Sequence, residues 1–160
     1  MAMLEVNDLH VAFPKGKRDW VEALRGVSLT LEKGERLGVV GESGAGKSML
    51  AFAILNLIAD PGRVSQGTVK FHGQNLLDLS ERQIRDIRGN RISMIFQDPM
   101  VTLNPVLSIG VQMMETLRAH RKISDKEARK LCIDKLKEVA IPSAESRLDA
   151  FPHELSGGLR

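Results

Sequence analysis

The stretch Gly41-Glu42-Ser43-Gly44-Ala45-Gly46-Lys47-Ser48 constrains this chain more than any other. It matches the pattern G-x-x-x-x-G-K-[ST] at every fixed position, a pattern that acquires its meaning between a strand and a helix. Both neighbours are predicted. Leu37-Gly38-Val39-Val40 reads as a short buried strand, and Leu50-Ala51-Phe52-Ala53-Ile54-Leu55 reads as an apolar helix. Glycines at 41, 44 and 46 let the backbone turn tightly enough for several N–H groups to face one phosphate chain. The helix that starts near Lys47 adds the positive end of its dipole at the same place. Lys47 would reach the β- and γ-phosphates, and the Ser48 hydroxyl would complete a Mg²⁺ shell. The expectation is an α/β core that binds a nucleoside triphosphate.

Composition narrows the setting. The 160 residues are 42% hydrophobic and 27% charged, ordinary values for a globular domain with one core. The net charge of +3 is mild, and no basic run interleaved with aromatics points to nucleic acid. Cys132 is the one cysteine, so no disulfide can form within the chain, which suits a reducing compartment. His10, His72, His120 and His153 are scattered without metal-ligand spacing. Neither a signal-peptide pattern nor an apolar run long enough to cross a bilayer occurs in the sequence.

Periodicity divides the chain into unlike halves. Strands are predicted in Leu4 to Phe13, in Gly26 to Leu31 with Val27, Leu29 and Leu31 on one face, and in Thr68 to Gly73. Ser80-Glu81-Arg82-Gln83 reads as a capping box opening a short helix through Ile84 and Ile87. Ile92 to Phe96 reads as a nearly continuous apolar strand of the kind found in the middle of a parallel sheet. From Leu107 the pattern turns helical, with Ile109, Met113 and Leu117 on one face. A second capping box, Ser124 to Glu127, opens a helix with Ala128, Leu131, Cys132, Leu136 and Val139 inward. Arg118, Arg121, Lys122, Lys126, Arg129 and Lys130 form a basic cluster, read as a solvated face.

Two further motifs narrow the reading. Gln97 ends the apolar segment and opens Gln97-Asp98-Pro99-Met100-Val101-Thr102-Leu103-Asn104-Pro105. Near the C-terminus stands Pro152-His153-Glu154-Leu155-Ser156-Gly157-Gly158-Leu159-Arg160. With the phosphate loop, these segments resemble the ATP-binding subunit of ABC transporters over the whole chain and in the right order. The form Q-D-P-M-x-x-L-N-P with V-G-E-S-G-x-G-K-S is most similar to the oligopeptide, dipeptide and nickel importer branch.

The resemblance implies roles for particular residues. The nucleotide is then ATP with Mg²⁺, held by Gly41, Glu42, Ser43, Gly44, Ala45, Gly46, Lys47 and Ser48, with Ser48 and Gln97 on the metal. Phe13 takes the place of the aromatic that stacks on adenine, with Trp20 a nearby rival. Ser156, Gly157 and Gly158 form the signature that meets the γ-phosphate held by a second, head-to-tail ATP-binding subunit. The loop Gln97 to Pro105, with apolar Met100, Val101 and Leu103, receives a membrane-spanning subunit. The implied location is cytoplasmic, peripheral on the inner face of the cell membrane, and the implied task is import of peptides or related small solutes.

The domain boundaries expected on this basis are a phosphate-loop core with a strand-rich, mostly antiparallel edge over 1–98, a helical subdomain over 99–153, and the start of the signature helix over 154–160. The resemblance also implies elements after Arg160, namely an apolar strand ending in Asp-Glu, whose glutamate is the catalytic base, and a later histidine. The chain is expected to be the N-terminal part of such an ATPase, with Lys47 and Gln97 as supporting residues of an incomplete catalytic set. Three alternatives stay open. One is a small P-loop kinase using Asp98. Another is an ABC ATPase of the chromosome-maintenance type, disfavoured by the short capped helices between 100 and 151. The third is a non-hydrolysing module that binds ATP.

Overall fold

The first strand, β1 (Leu4–Lys15), is flanked by β2 (Asp19–Leu31) and β3 (Arg63–Phe71), both antiparallel to it. The short β4 (Gln74–Asn75) closes the sheet in the order β2-β1-β3-β4. In this computed structural model, residues 2–16, 18–97 and 102–159 are described, so Asp98, Pro99, Met100, Val101 and Arg160 lie outside the description. The chain forms two compact units, 1–92 and 93–160.

In the first unit β1 pairs with its hairpin neighbour β2 on one edge and with the sequence-distant β3 on the other, so its backbone groups are satisfied on both sides. Val6, Leu9, Val11, Leu24 and Val69 point to one face and are buried. Against that face pack Leu50 and Ala53 of α1 (Lys47–Ile54), Leu76 of a 3₁₀ turn (Leu76–Asp78), and Ile84 of α2 (Glu81–Ile87). The predicted alternation in Val27, Leu29 and Leu31 holds, with these three half-buried and Ser28 and Thr30 exposed. Register shifts interrupt β1 between Val6 and Leu9, Leu9 and Val11, and Val11 and Ala12.

Both capping boxes form as read. Ser80 Oγ accepts from Gln83 N at 3.4 Å, and Ser80 N donates to Gln83 Oε1 at 3.0 Å. At the second box, Glu127 N donates to Ser124 Oγ at 3.3 Å and Ser124 N donates to Glu127 Oε2 at 3.0 Å. The C-terminal ends of α1 and α2 are joined by Arg88. Its Nε donates to Leu55 O at 2.8 Å, its Nη2 donates to Asn56 O, and its Nη1 meets Glu81 Oε1 at 2.9 Å.

The second unit consists of α3 (Ile109–His120), α4 (Asp125–Glu138) and α5 (Ala144–Asp149), followed by 3₁₀ turns at Pro152–Glu154 and Gly157–Leu159. Ile109, Ala128, Cys132, Ala144 and Leu148 are its buried apolar residues, with Leu155 beside them in the chain's last turns. Two members of the basic cluster are ion-paired, Arg118 with Asp125 and Arg129 with Asp149, and both pairs are solvent-facing, as the solvated-face reading expects.

Three readings are corrected. Leu37 to Val40 is not a buried strand; it pairs with nothing in strand geometry, and Val40 is 93% exposed. Ile92 to Phe96 is likewise not a strand. Its strand-type pairing among the described residues is an isolated parallel bridge, Arg88 to Ile92, and Ile95 is 97% exposed. A parallel strand depends on neighbours supplied by remote chain on both sides, and neither segment has them among the described residues. Val139 is 68% exposed rather than inward, because α4 ends at Glu138 and Val139 is the capping residue beyond its last turn.

Candidate nucleotide-binding site

The phosphate loop leads into α1 through Gly46, whose φ of +92° places the residue before the helix in the left-handed region. Gly44 is left-handed too, at φ +82°. For an L-residue both positions are strained, so glycine at 44 and at 46 follows from backbone geometry. Gly46 has a second constraint. A Cβ there would lie 2.8 Å from Leu24 Cδ2 and 3.0 Å from Ala23 O, so β2 packs directly against the loop's last glycine. The loop tightens through Ala45 N donating to Glu42 O at 3.2 Å, and α1 begins with Leu50 N donating to Gly46 O at 2.9 Å.

The N-terminus of α1 is open. No side chain caps it and no acidic residue sits in its first turn. Its first N–H groups and the positive end of the dipole are therefore available to an anion. Lys47 turns back over the loop, and its Nζ donates to Gly41 O at 2.7 Å and Glu42 O at 2.6 Å. An ammonium is thereby kept at the loop in spite of its long stem. Ser48, the second residue of α1, is exposed. Between β2 and the loop lies a cavity of about 310 Å³, lined by Glu22, Ala23, Leu24, Arg25, Val27, Gly44 and Ala45.

This donor set fits a triphosphate that brings its own cation. Among the described residues no group of three His, Cys, Asp or Glu side chains could hold a metal ion. Mg²⁺ keeps several waters and binds largely through substrate phosphates, and the exposed Ser48 hydroxyl is a protein oxygen at the start of α1 that could add to such a shell.

The other predicted residues fall in three places. Phe13 and Trp20 are on paired strands near the β1–β2 turn, where Phe13 lies opposite Val21 and Trp20 opposite Pro14. Phe13 is partly buried on the core, its ring so close to Gly62 that a Cβ there would meet it at 2.2 Å. Trp20 is 43% exposed, with the Arg63 guanidinium 4.1 Å from its ring centroid. Gln97 is an exposed residue of the second unit, at the last described position before 98–101. Ser156, Gly157 and Gly158 are exposed at the start of a 3₁₀ turn in that unit, with open space where the glycines would carry Cβ atoms.

Sequence reasoning missed the β2 side of the site. Ala23, Leu24 and the cavity beside Glu22 carry no motif. The alternation of β2 could have suggested that Leu24 faces inward, but not that it meets Gly46. The Arg63–Trp20 stack had no sequence signal either.

Comparison with known proteins agrees with this geometry. A family model described as ABC transporter matches residues 24–160. The chain is 47% identical over 159 residues to the oligopeptide transport ATP-binding protein OppD of Bacillus subtilis (strain 168), covering 99% of this chain and 44% of that protein. It is 46% identical over 159 residues to the dipeptide transport ATP-binding protein DppD of Lactococcus lactis subsp. cremoris (strain MG1363), covering 99% of this chain and 45% of that one. The chain thus spans about half the length of the curated relatives it matches. Among solved structures, the dimeric structure of MJ0796, described as a bacterial ABC transporter cassette, superposes with a TM-score of 0.82 at 25% identity over 98% of this chain and 65% of that one. A post-hydrolysis state of the same ATP-binding cassette, bound to ADP and Pi, gives a TM-score of 0.78 at 25% identity over the same shares of the two chains. From the phosphate loop to the signature peptide, then, the sequence, the fold and the family match agree, and the chain belongs to the ABC transporter family.

Proposed function

We propose that this chain binds Mg·ATP through Gly41 to Ser48 and forms part of the ATP-hydrolysing subunit of a peptide or related small-solute importer. The observation that carries the reading is the open N-terminus of α1, with two left-handed glycines before it and the Lys47 ammonium folded onto the loop. The backbone N–H groups and Lys47 take the phosphates, and Ser48 contributes its hydroxyl to the cation. Phe13 is assigned the adenine face, with Trp20 as the competing aromatic. Gln97 is assigned to the metal and the attacking water, and Ser156, Gly157 and Gly158 to the γ-phosphate of a second subunit.

Turnover is assigned to the full-length protein. The hydrolytic base that the resemblance implies is the glutamate of a strand ending in Asp-Glu, and the 160 residues contain no Asp-Glu pair. The 160 residues alone are expected to bind ATP without turnover above background, since loss of a positioned proton acceptor typically costs about 10²–10⁴-fold. A membrane-spanning subunit docked at the Gln97 to Pro105 loop and a second ATP-binding subunit are the partners, with the protein peripheral on the cytoplasmic face. No helix among the described residues is long and apolar enough to cross a membrane.

Titration calorimetry with Mg·ATP tests the core of this reading. Lys47→Ala should weaken binding about a hundredfold, the equivalent of two charge-assisted hydrogen bonds. An unchanged affinity would overturn it.

A further inference from the structure

On the sheet face opposite the core, His10 of β1 stands between two carboxylates. Its Nδ1 is 2.9 Å from Glu22 Oε1 on β2, and its Nε2 is 3.3 Å from Asp8 Oδ1 on β1. A carboxylate oxygen only accepts, so satisfying both contacts requires both ring nitrogens to donate, which only the imidazolium can do. The neutral ring must leave one lone pair facing an acidic oxygen. The cluster is held from other sides as well. Gln66 Nε2 of β3 donates to Asp8 Oδ2, and Asp8 N donates to Ser28 Oγ at 2.9 Å. At Gly26, a Cβ would lie 2.9 Å from Asp8 Oδ1 and 3.3 Å from His10 Nε2. Asp8 and Glu22 are the charged groups facing the ring from β1 and β2, and the residue paired with His10 on β3 is the uncharged Gln66.

The position of Glu22 gives this cluster its reach. Along β1 and β2 the pairing jumps from Val11 with Leu24 to Ala12 with Glu22, leaving Ala23 as an extra residue in β2. That bulged residue and Leu24 are the two that seat Gly46 of the phosphate loop. Glu22 is therefore the first paired residue beyond the bulge, and His10 fixes its side chain. At a bulge the strand bends and its local right-handed twist increases.

We infer that His10 is a proton-operated clamp on the β2 bulge, coupling the charge on the sheet's outer face to the seat of the phosphate loop. The bond to Glu22, above all, raises the affinity of His10 for its proton, with Asp8 adding to it and partial desolvation opposing. The sign follows. The clamp is two-sided at pH below the raised folded value and weakens as pH climbs through it, when the neutral ring can donate to only one of the two carboxylates. Because the groups are solvent-facing, the linkage is modest, about two- to fivefold in affinity. Closed, it holds Ala23 and Leu24 against Gly46 and favours the anion-binding loop conformation.

The inference rests on the nucleotide-binding reading for its consequence but not for its existence, and two readouts separate them. Without nucleotide, the amide resonances of Ala23 and Gly46 should follow the His10 imidazole titration in the unaltered chain and lose that dependence in His10→Gln. With Mg·ATP, affinity should fall about two- to fivefold across the His10 titration, beyond whatever pH dependence His10→Gln retains from the phosphates themselves. Glu22→Gln, whose amide can donate to a neutral ring, should flatten both responses and serves if His10→Gln folds poorly. Amides at 23 and 46 indifferent to the His10 titration, or identical ATP pH profiles in the three proteins, would overturn the clamp. If the amides respond but no protein binds ATP, the clamp stands and the nucleotide reading fails.

Discussion

β1 and the segment Leu37 to Val40 both carry apolar residues that read as strand, yet they end in opposite surroundings. In β1, Leu9 and Val11 are wholly buried, and hydrogen bonds run to neighbours on both edges. Val40 is almost fully exposed, and its stretch joins no sheet. Hydrophobicity does not separate them. The presence of partners does. β1 has antiparallel neighbours on both edges, β2 next to it in sequence and β3 far along the chain. Leu37 to Val40 and Ile92 to Phe96 have the composition of parallel-sheet strands, which require a crossover and a neighbour on either side. Burying apolar residues is thus a property of the pairing a segment can reach as much as of its side chains.

The sharpest way to break this comparison is a pair of truncations measured by denaturant unfolding. Leu9→Ala should destabilise the chain by about 2–5 kcal/mol, the usual cost of a cavity in a closed core. Val40→Ala should change stability by less than about 0.5 kcal/mol, as expected at an exposed position. Equal losses would mean that Val40 is buried in solution and that the two regions do not differ.

A smaller effect probes the helices on both sides of the same divide. Each capping box is local, as the β-hairpin is, and needs no distant partner. Ser80→Ala and Ser124→Ala should each cost about 1 kcal/mol, read from thermal or denaturant curves. A silent Ser124→Ala beside a damaging Ser80→Ala would show that locality alone does not decide which element matters.

The smallest expected effect is on the acid side. Backbone and side-chain hydrogen bonds from Ser124 hold Glu127 below the usual carboxylate range, and Arg129 does the same for Asp149. Groups whose folded values are depressed stabilise the fold above their unfolded values and lose that contribution as pH falls through the folded ones. The second unit should therefore loosen slightly below about pH 4, and Glu127→Gln should remove part of that dependence. Helical circular dichroism across an acid titration checks it. A profile unchanged by Glu127→Gln would place the acid sensitivity elsewhere.

What could be read from the sequence follows the same line. The alternation in Gly26 to Leu31 and from Thr68, the two capping boxes and the helix that follows the phosphate loop are specified within a few residues of themselves. Each is found, although β2 begins earlier than read, at Asp19, and β3 runs from Arg63 to Phe71. Leu37 to Val40 and Ile92 to Phe96 were misjudged because their composition reports a destination that only non-local chain can supply. Leu24 against Gly46 was invisible for another reason. The register shift at Ala23 is a pairing event between two strands, and one-dimensional periodicity cannot display it. Gln97 and the signature peptide were legible as motifs, yet their chemistry depends on geometry beyond the first unit.

Arg88 carries a consequence for electrical polarity. It sets a guanidinium against Leu55 O and Asn56 O, at the carbonyl end of α1. An eight-residue helix is only about 12 Å long, so beyond about that distance the opposite partial charges of its ends largely offset. The guanidinium weakens the negative end, though its own ion pair with Glu81 limits the effect, and the positive end facing out through Gly46 is the less compensated of the two poles.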